Sequence, residues 1–425
     1  PFMALVASMT EEAVLGTGEP VKLPADASAA HAAWLEHDGS TCAELPPPPP
    51  GGWNLVVDAL FGIGLQRPLE GRYAGWIATL NAQPCPRLAL DIPSGLDADT
   101  GRRLGPCFEA SHTITFIALK PGLLTLDGPD HCGEVHLDTI DVDAEALAPA
   151  PGREITPALF AARLNPRRAN SHKGSYGDVA IVGGEGLAAR GLGMTGAALL
   201  AASAALHAGA GRVLVALLDD GQMAIDMAQP ELMFRRFDAL ALEQLTVVCG
   251  CGGGEAVRAV LPAVLARAAR LVLDADALNA LAADAALRAE VVSRAARGLP
   301  TVLTPHPLEA ARLLGVSAVE VQADRLNAAQ QLAEQFDCVT VLKGSGTVIA
   351  APGYPPADNP TGNARLATAG TGDVLAGMVG AHLAAGAEAQ PAASQAVYQH
   401  GLAADRWPAG RQLTASALAR HITQT

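Results

Sequence analysis

Beyond residue 178 the chain alternates short apolar runs with longer helical patterns. The runs are Val179–Val182, Arg212–Leu217, Thr246–Val248, Leu271–Leu273, Thr301–Leu303 and Val339–Leu342. They are apolar throughout rather than alternating, as strands covered on both faces are. The stretch Gly196–Ala208 is rich in Ala and poor in β-branched residues, which predicts a helix that ends at Ala210-Gly211. Such alternation predicts a parallel sheet covered by helices, an α/β fold. Nearly every run ends in Gly, Asp, His or Lys: Gly183-Gly184, Gly250-Cys251-Gly252-Gly253, Asp274, Thr304-Pro305-His306-Pro307 and Lys343-Gly344. Polar groups gathered at one end of the strands predict a ligand crevice at the carboxyl edge of the sheet.

The N-terminal part carries the same pattern. Ala27–Trp34 and Tyr73–Leu80 read as helices, and Leu55–Val57, Arg87–Leu90 and Thr113–Ile117 as strands. The strands run into Asp58-Ala59-Leu60-Phe61-Gly62-Ile63-Gly64-Leu65, Asp91-Ile92-Pro93-Ser94-Gly95-Leu96-Asp97 and Lys120-Pro121-Gly122. One sheet edge is therefore expected to collect Asp58, Asp91, Ser94 and Lys120. Taken singly, the two acids also read as turn caps, Ser94 as a turn hydroxyl and Lys120 as a solvated charge. Pro46–Pro50 with Gly51-Gly52 reads as a rigid surface loop. The acidic, Ala/Pro-rich stretch 141–157 predicts a linker near residue 150, which gives domains over 1–148 and 155–425.

The stretch with the most chemistry is Ala369-Gly370-Thr371-Gly372-Asp373. Apolar residues follow at helical spacing, at Val374, Leu375, Met378, Val379 and Leu383, so a helix starts at or near Asp373. The glycines let backbone approach a ligand closely. The unpaired amides of a first helical turn attract an anion. An acid held there can take the proton from a hydroxyl that attacks a bound phosphate. A plain Gly-rich turn capped by Asp373 is the alternative. The loop Lys343-Gly344-Ser345-Gly346-Thr347 offers an ammonium, flexible backbone and two hydroxyls, which suits a diphosphate or ribose; a β-hairpin turn is the other reading. His306 is fixed between two prolines.

Composition narrows the partners. The net charge of −14, with no basic block, argues against nucleic acid and anionic membranes. Seven cysteines without a CxxC pair fit a reducing, cytoplasmic compartment. Cys249 and Cys251 read as small buried residues of a Gly-rich turn. No run is long enough to span a bilayer, and no signal peptide is evident. There is no GxxxxGK[ST] loop. The chain begins at Pro1, so a truncated N-terminus is expected.

The motifs around Asp58 and Asp91 resemble the NAD(P)H-hydrate epimerase domain, over roughly residues 14–145. The resemblance implies a Rossmann-like three-layer sandwich that interconverts the R and S forms of hydrated NADH and NADPH. It implies that Asp58 and Ser94 hold potassium. Gly62, Ile63, Gly64, Leu65, Gln66, Arg67 and Pro68 would line the substrate phosphates, with Asp91 at the hydrated nicotinamide. Two departures stand out. Ile63 replaces the usual Thr, and the family's Asn-Asn-Gly-Gly-Asp-Gly loop is absent from residues 1–57. Without that loop and its strand, an unpaired sheet edge and weak epimerase activity are expected.

His172-Lys173-Gly174-Ser175-Tyr176-Gly177, Met194-Thr195-Gly196-Ala197, Thr304–Pro307, Val341–Gly344, Asn359-Pro360-Thr361-Gly362-Asn363 and Gly370–Asp373 together resemble the ADP/ATP-dependent NAD(P)H-hydrate dehydratases of the ribokinase-like fold. The match spans about residues 155–422. It implies Asp373 as catalytic base, with Lys343, Gly344, Ser345, Gly346, Thr347 and Gly372 on the nucleotide. Gly196, Ala197, Gly250, His306 and Asp373 would line the hydrate. It also implies Mg2+, ADP as phosphoryl donor and a homo-oligomer. Leu308, in place of a frequent Gly, and Cys251, in place of Pro, depart from the pattern at positions expected to touch no charged catalytic group. The rival readings are a small-molecule kinase of the same superfamily and, for the first domain, a non-catalytic interaction module.

Overall fold

A computed structural model describes residues 3–7, 12–16, 25–37, 39–147, 150, 152–161 and 169–422. The chain forms two compact units, Pro1–Ala150 and Pro151–Thr425. Residues 148–149 and 151 of the predicted linker, and the Pro1 terminus, lie outside the described residues.

The first unit is built on a seven-stranded sheet. Its order is Thr41–Cys42, Glu12–Gly16, Met3–Ala7, Leu55–Ala59, Arg87–Leu90, His112–Phe116 and Glu134–Asp138. The last four strands are parallel. The unpaired edge expected beside Leu55–Ala59 is not found. Met3–Ala7 pairs antiparallel along that whole strand, from Met3 opposite Ala59 to Ala7 opposite Leu55. An apolar segment supplies the missing ladder in the reverse direction, and backbone pairing is indifferent to which sequence provides it. The predicted helices appear as Ala25–Glu36 and Gly71–Asn81, the latter burying Trp76, Ile77 and Leu80. The predicted strand at Thr113 ends one residue early, because Ile117 adopts φ 68°.

The second unit holds a ten-stranded sheet. In order it runs Met233–Phe234, Arg212–Leu218, Asp178–Glu185, Thr246–Cys249, Arg270–Leu273, Thr301–Leu303, Val339–Leu342, Val348–Ala351, Tyr354–Asp358 and Arg153–Glu154. The first seven strands are parallel. Val348–Ala351 then turns back antiparallel on Val339–Leu342.

Neighbouring residues of the central strand enter opposite cores. Val179 and Ile181 pack with the helices Thr195–His207, Thr371–Ala384 and Ala389–Asp405. Ala180 and Val182 pack with Val257–Arg267, Asp276–Ala283 and Arg325–Phe336. The helix predicted at Asp373 begins two residues earlier, at Thr371.

That helix crosses Thr195–His207 closely enough that a Cβ on Gly377 would lie 2.1 Å from the Ala201 carbonyl oxygen. Backbone cannot yield as a side chain does. The intrinsic gain of about 1 kcal/mol from Gly to Ala in a helix therefore loses to overpacking. Gly377→Ala lowers stability by a net ~1–3 kcal/mol, read as a lower urea midpoint at unchanged slope.

Candidate active site

Four parallel strands of the second unit deliver polar residues to one edge. Asp274 follows Arg270–Leu273, Thr304 follows Thr301–Leu303, Lys343 follows Val339–Leu342 and Cys251 lies just beyond Thr246–Cys249. Asp274 is buried and accepts from Lys343 Nζ at 2.7 Å and from Thr304 Oγ1 at 2.8 Å on the same oxygen, Oδ1. Its other oxygen receives the Cys251 thiol at 3.8 Å. The donor atoms of Cys251, Asp274 and Asp373 all lie within 4.8 Å of one another. Burial, and after it the neighbouring Asp274, pushes the Asp373 carboxyl up to about 7. The Cys251 thiol and the Lys343 ammonium pull the other way. Cys251 is thus more than turn filler, and the expectation that this departure touches no charged group is wrong. A Gly-rich turn brings the thiol inward, and burial keeps it protonated.

Backbone conformation fixes these groups. Gly250 has φ 117°, and a Cβ there would lie 2.0 Å from the Asp274 carbonyl oxygen, so no other residue fits. Ala275 takes φ 48° and ψ −113°, a strained setting for a residue with a side chain. It turns the chain so that Asp274 meets Lys343 while Asp276 accepts the Gly254 amide at 2.8 Å. Gly370, at φ 90°, opens the helix Thr371–Ala384. A Cβ on Gly372 would stand 3.4 Å from Lys343 Nζ, so the ammonium lies against the first helical turn. The Thr371 carbonyl accepts from His400 Nε2 at 3.0 Å; burial holds that imidazole down at about 4, hence neutral.

Lys343 also lies 4.0 Å from Glu309, a buried carboxylate whose pKa burial raises. Glu309 accepts the His306 amide at 2.8 Å. His306 Nδ1 accepts the amides of Leu308 and Glu309, which leaves Nε2–H facing Glu309 Oε1 at 3.3 Å. The ring stays half exposed, and burial followed by Lys343 lowers its pKa.

Lys343–Thr347 joins two antiparallel strands, so the hairpin reading holds. The loop is nevertheless built rather than free. Arg325, buried beneath it, donates to the carbonyls of Leu342, Lys343 and Gly346 at 3.3, 3.4 and 3.1 Å. Gly344 is required because a Cβ would stand 2.7 Å from that guanidinium. Gly344 and Ser345 face outward.

Gly196 and Ala197 lie in the first turn of Thr195–His207, where a Cβ on Gly252 would meet the Ala197 Cβ at 2.8 Å. Asn359–Asn363 adjoins the Lys343–Thr347 loop, the Asn359 amide donating to the Thr347 carbonyl at 3.0 Å, and Asp405 accepts from the Gly362 amide and the Asn363 side chain at 2.8 Å each. The His172–Gly177 motif is not part of this edge. It precedes Asp178, at the amino end of its strand, and backs onto Gly211. Glu309, Arg325 and Thr304 are site groups that no motif in the sequence singles out. The signal available was a polar residue directly after an apolar strand, which marks Asp274 and Thr304. Arg325 and Glu309 sit within helical patterns and carry no such mark.

In the first unit Asp58 is fully buried. It accepts from the Ser94 hydroxyl and amide at 2.7 Å each and from the Leu60 amide at 3.1 Å. The Phe61 amide donates to Ser94 Oγ at 2.9 Å. Burial raises the Asp58 carboxyl to about 6 against these hydrogen bonds. No Lys or Arg pairs with it among the described residues. Lys120 instead pairs with Asp91 and donates to Thr115 Oγ1 at 2.8 Å. Asp91 adopts φ 71°, and its Oδ2 would lie 3.5 Å from a Cβ on Gly62, which ties it to the Gly62–Pro68 loop. Ile63 is 63% exposed on that loop.

These two edges coincide with two families. The NAD(P)H-hydrate dehydratase family matches residues 179–425, and the YjeF-related protein N-terminus matches residues 12–122. The bifunctional NAD(P)H-hydrate repair enzyme Nnr of Escherichia coli (strain K12) is 40% identical over 397 residues, covering 90% of this chain and 73% of that protein. Its counterpart in Moorella thermoacetica is 40% identical over 376 residues, covering 83% and 68%. The crystal structure of the ADP/ATP-dependent NAD(P)H-hydrate dehydratase from Bacillus subtilis, co-crystallised with ATP and Mg2+, is 30% identical. It superposes with a TM-score of 0.51 over 64% of this chain and 96% of that one. The chain belongs to the bifunctional NAD(P)H-hydrate repair enzyme family.

Proposed function

We propose that this chain repairs hydrated NADH and NADPH. The second unit dehydrates the S hydrate at the expense of ADP, and the first interconverts the R and S hydrates. The observation that carries the reading is Asp373, a carboxylate with a pKa raised to about 7, in the first turn of a helix whose start lies against Lys343. A base poised near neutrality suits removal of a proton from the hydroxyl on the reduced ring. The hydroxyl oxygen attacks the β-phosphorus of ADP, AMP leaves, and the new phosphate ester then departs as the ring double bond returns. The first-turn amides and Lys343 are suited to the charge on the transferring phosphoryl group. The Arg325-supported loop Lys343–Thr347, with Gly372, is the nucleotide side; Gly196, Ala197, Gly250 and His306 form the hydrate side.

Asp274 and Asp373 offer hard oxygens that suit magnesium held jointly with substrate phosphates, whereas the Cys251 thiol does not. The chemistry such an ion supplies is neutralisation of phosphate charge. Asp58 and Ser94 fit potassium, because a buried carboxylate without a basic partner lies beside the Ser94 hydroxyl, which is itself 3.3 Å from the Phe61 carbonyl oxygen. Potassium chloride then raises the melting temperature of the first unit relative to choline chloride at equal ionic strength. Asp58→Asn removes that difference; an equal rise in both proteins refutes the site.

A cytoplasmic location fits seven free thiols and helices none of which, among the described residues, can cross a membrane. The test of function is direct. Purified chain with ADP and magnesium restores NADH absorbance from S hydrate. From R hydrate it does so at a rate limited by the first unit.

A further inference from the structure

On the first unit, away from the edge that bears Asp58 and Asp91, two neighbouring strands place three metal-binding side chains together. His112 opens the strand His112–Phe116, and Glu134 opens the edge strand Glu134–Asp138. The parallel register sets His112 opposite Glu134 and Ile114 opposite His136. Side chains two apart on a strand share a face, so His112, Glu134 and His136 project from the same side. All three are exposed. The carboxylate reaches both rings, with Oε1 3.5 Å from His136 Nε2 and Oε2 3.9 Å from His112 Nε2. The rings lie nearly parallel, 6.0 Å apart between centroids.

The tautomer of His112 is set by the residue before it. Ser111 Oγ donates to the Arg87 carbonyl and accepts the Arg87 amide, both at 2.9 Å. Its one hydroxyl proton is therefore used. With that proton on the Arg87 carbonyl, the contact with His112 Nδ1 at 3.1 Å is an Nδ1–H donating to Oγ. That leaves Nε2 with its lone pair, on the side of Glu134. A ring nitrogen held by an outer hydrogen bond while the other is free is how ligating histidines are prepared.

We propose that His112, Glu134 and His136 form a binding site for a divalent metal of borderline softness, zinc first among them. Two imidazoles and one carboxylate are a donor set that zinc takes, with water in the remaining position. Ligands about 2.1 Å from zinc stand roughly 3.4 Å apart in a tetrahedron, so small rotations of exposed side chains close the triad. His112 and Glu134 begin their strands, at the amino edge of the sheet, opposite the edge that carries Asp58 and Asp91. A metal here bridges the outermost strand to its neighbour and acts as a clip on an exposed edge rather than as a catalyst.

The test is calorimetric titration of zinc chloride into the chelator-stripped full chain. Wild type takes up one zinc that His112→Ala and His136→Ala each abolish and that Glu134→Gln weakens. Ser111→Ala weakens the same site ~10- to 100-fold, as loss of an outer hydrogen bond does. Because the ligands are exposed, far-ultraviolet circular dichroism of the variants stays unchanged, which separates lost ligation from lost folding. Zinc also raises the melting temperature of the first unit in wild type and leaves that of the two alanine variants unchanged. A wild type that binds no zinc overturns the proposal, as does equal binding by wild type and the two alanine variants.

Discussion

Asp373→Asn reduces dehydration of S hydrate by at least ~10²-fold, the usual scale for losing a general base, while nucleotide binding stays near normal. The amide keeps the shape of the first helical turn but cannot take the proton. Near-normal turnover by this variant would sink the assignment. The wild-type rate should also carry an acid limb near the raised pKa of about 7, because only the ionised carboxylate accepts a proton. Stability moves the opposite way. A carboxyl whose pKa is raised on folding favours the folded state fully below its ordinary value of 3.8 and loses that advantage as pH climbs through about 7. Above that pH the buried charge is a cost the amide does not bear. Asp373→Asn therefore melts higher than wild type at pH 8, and the gap closes as pH falls toward 4. A variant less stable than wild type at pH 8 contradicts the burial argument.

Lys343→Ala gives the second large effect, and it acts in three places. The ammonium pairs with Asp274 at 2.7 Å and stands 4.0 Å from Glu309, both nearly buried. Removing it leaves carboxylates without a cation, which costs about 3–5 kcal/mol. It also takes away a charge that holds the Asp373 pKa down, so the acid limb of the rate moves to higher pH. Turnover falls ~10²–10³-fold, as for loss of one donor to a transition-state oxyanion. The apparent requirement for ADP rises more than that for the hydrate. Lys343→Met, which keeps the stem, shows the same changes if the charge is their cause. An unmoved pH profile would mean that Lys343 and Asp373 do not share one site.

Six parallel strands of the second unit, from Arg212–Leu218 to Val339–Leu342, were legible because they are apolar on both faces and stop at polar residues or glycine; Met233–Phe234, Val348–Ala351, Tyr354–Asp358 and Arg153–Glu154 were not. The same rule marked Asp58, Asp91, Asp274 and Lys343. What escaped is what depends on contacts between distant segments. Arg325 lies in an ordinary helical pattern, and only the folded chain shows it beneath Gly344. Cys251 looks like filler until Gly250 and Gly252 turn it toward Asp274. The pairing of Met3–Ala7 with Leu55–Ala59 is likewise invisible locally, since a short apolar segment does not state its partner or direction. His112, Glu134 and His136 read as scattered surface polar residues until the register of two strands aligns them.

Direct attack of the ring hydroxyl on the phosphorus of ADP is tested by supplying S hydrate whose hydroxyl carries oxygen-18, with ADP and magnesium, and analysing the phosphate released. One labelled oxygen is expected in each inorganic phosphate, with one AMP formed per NADH recovered. NADH recovered with the label in water and none in phosphate would contradict it.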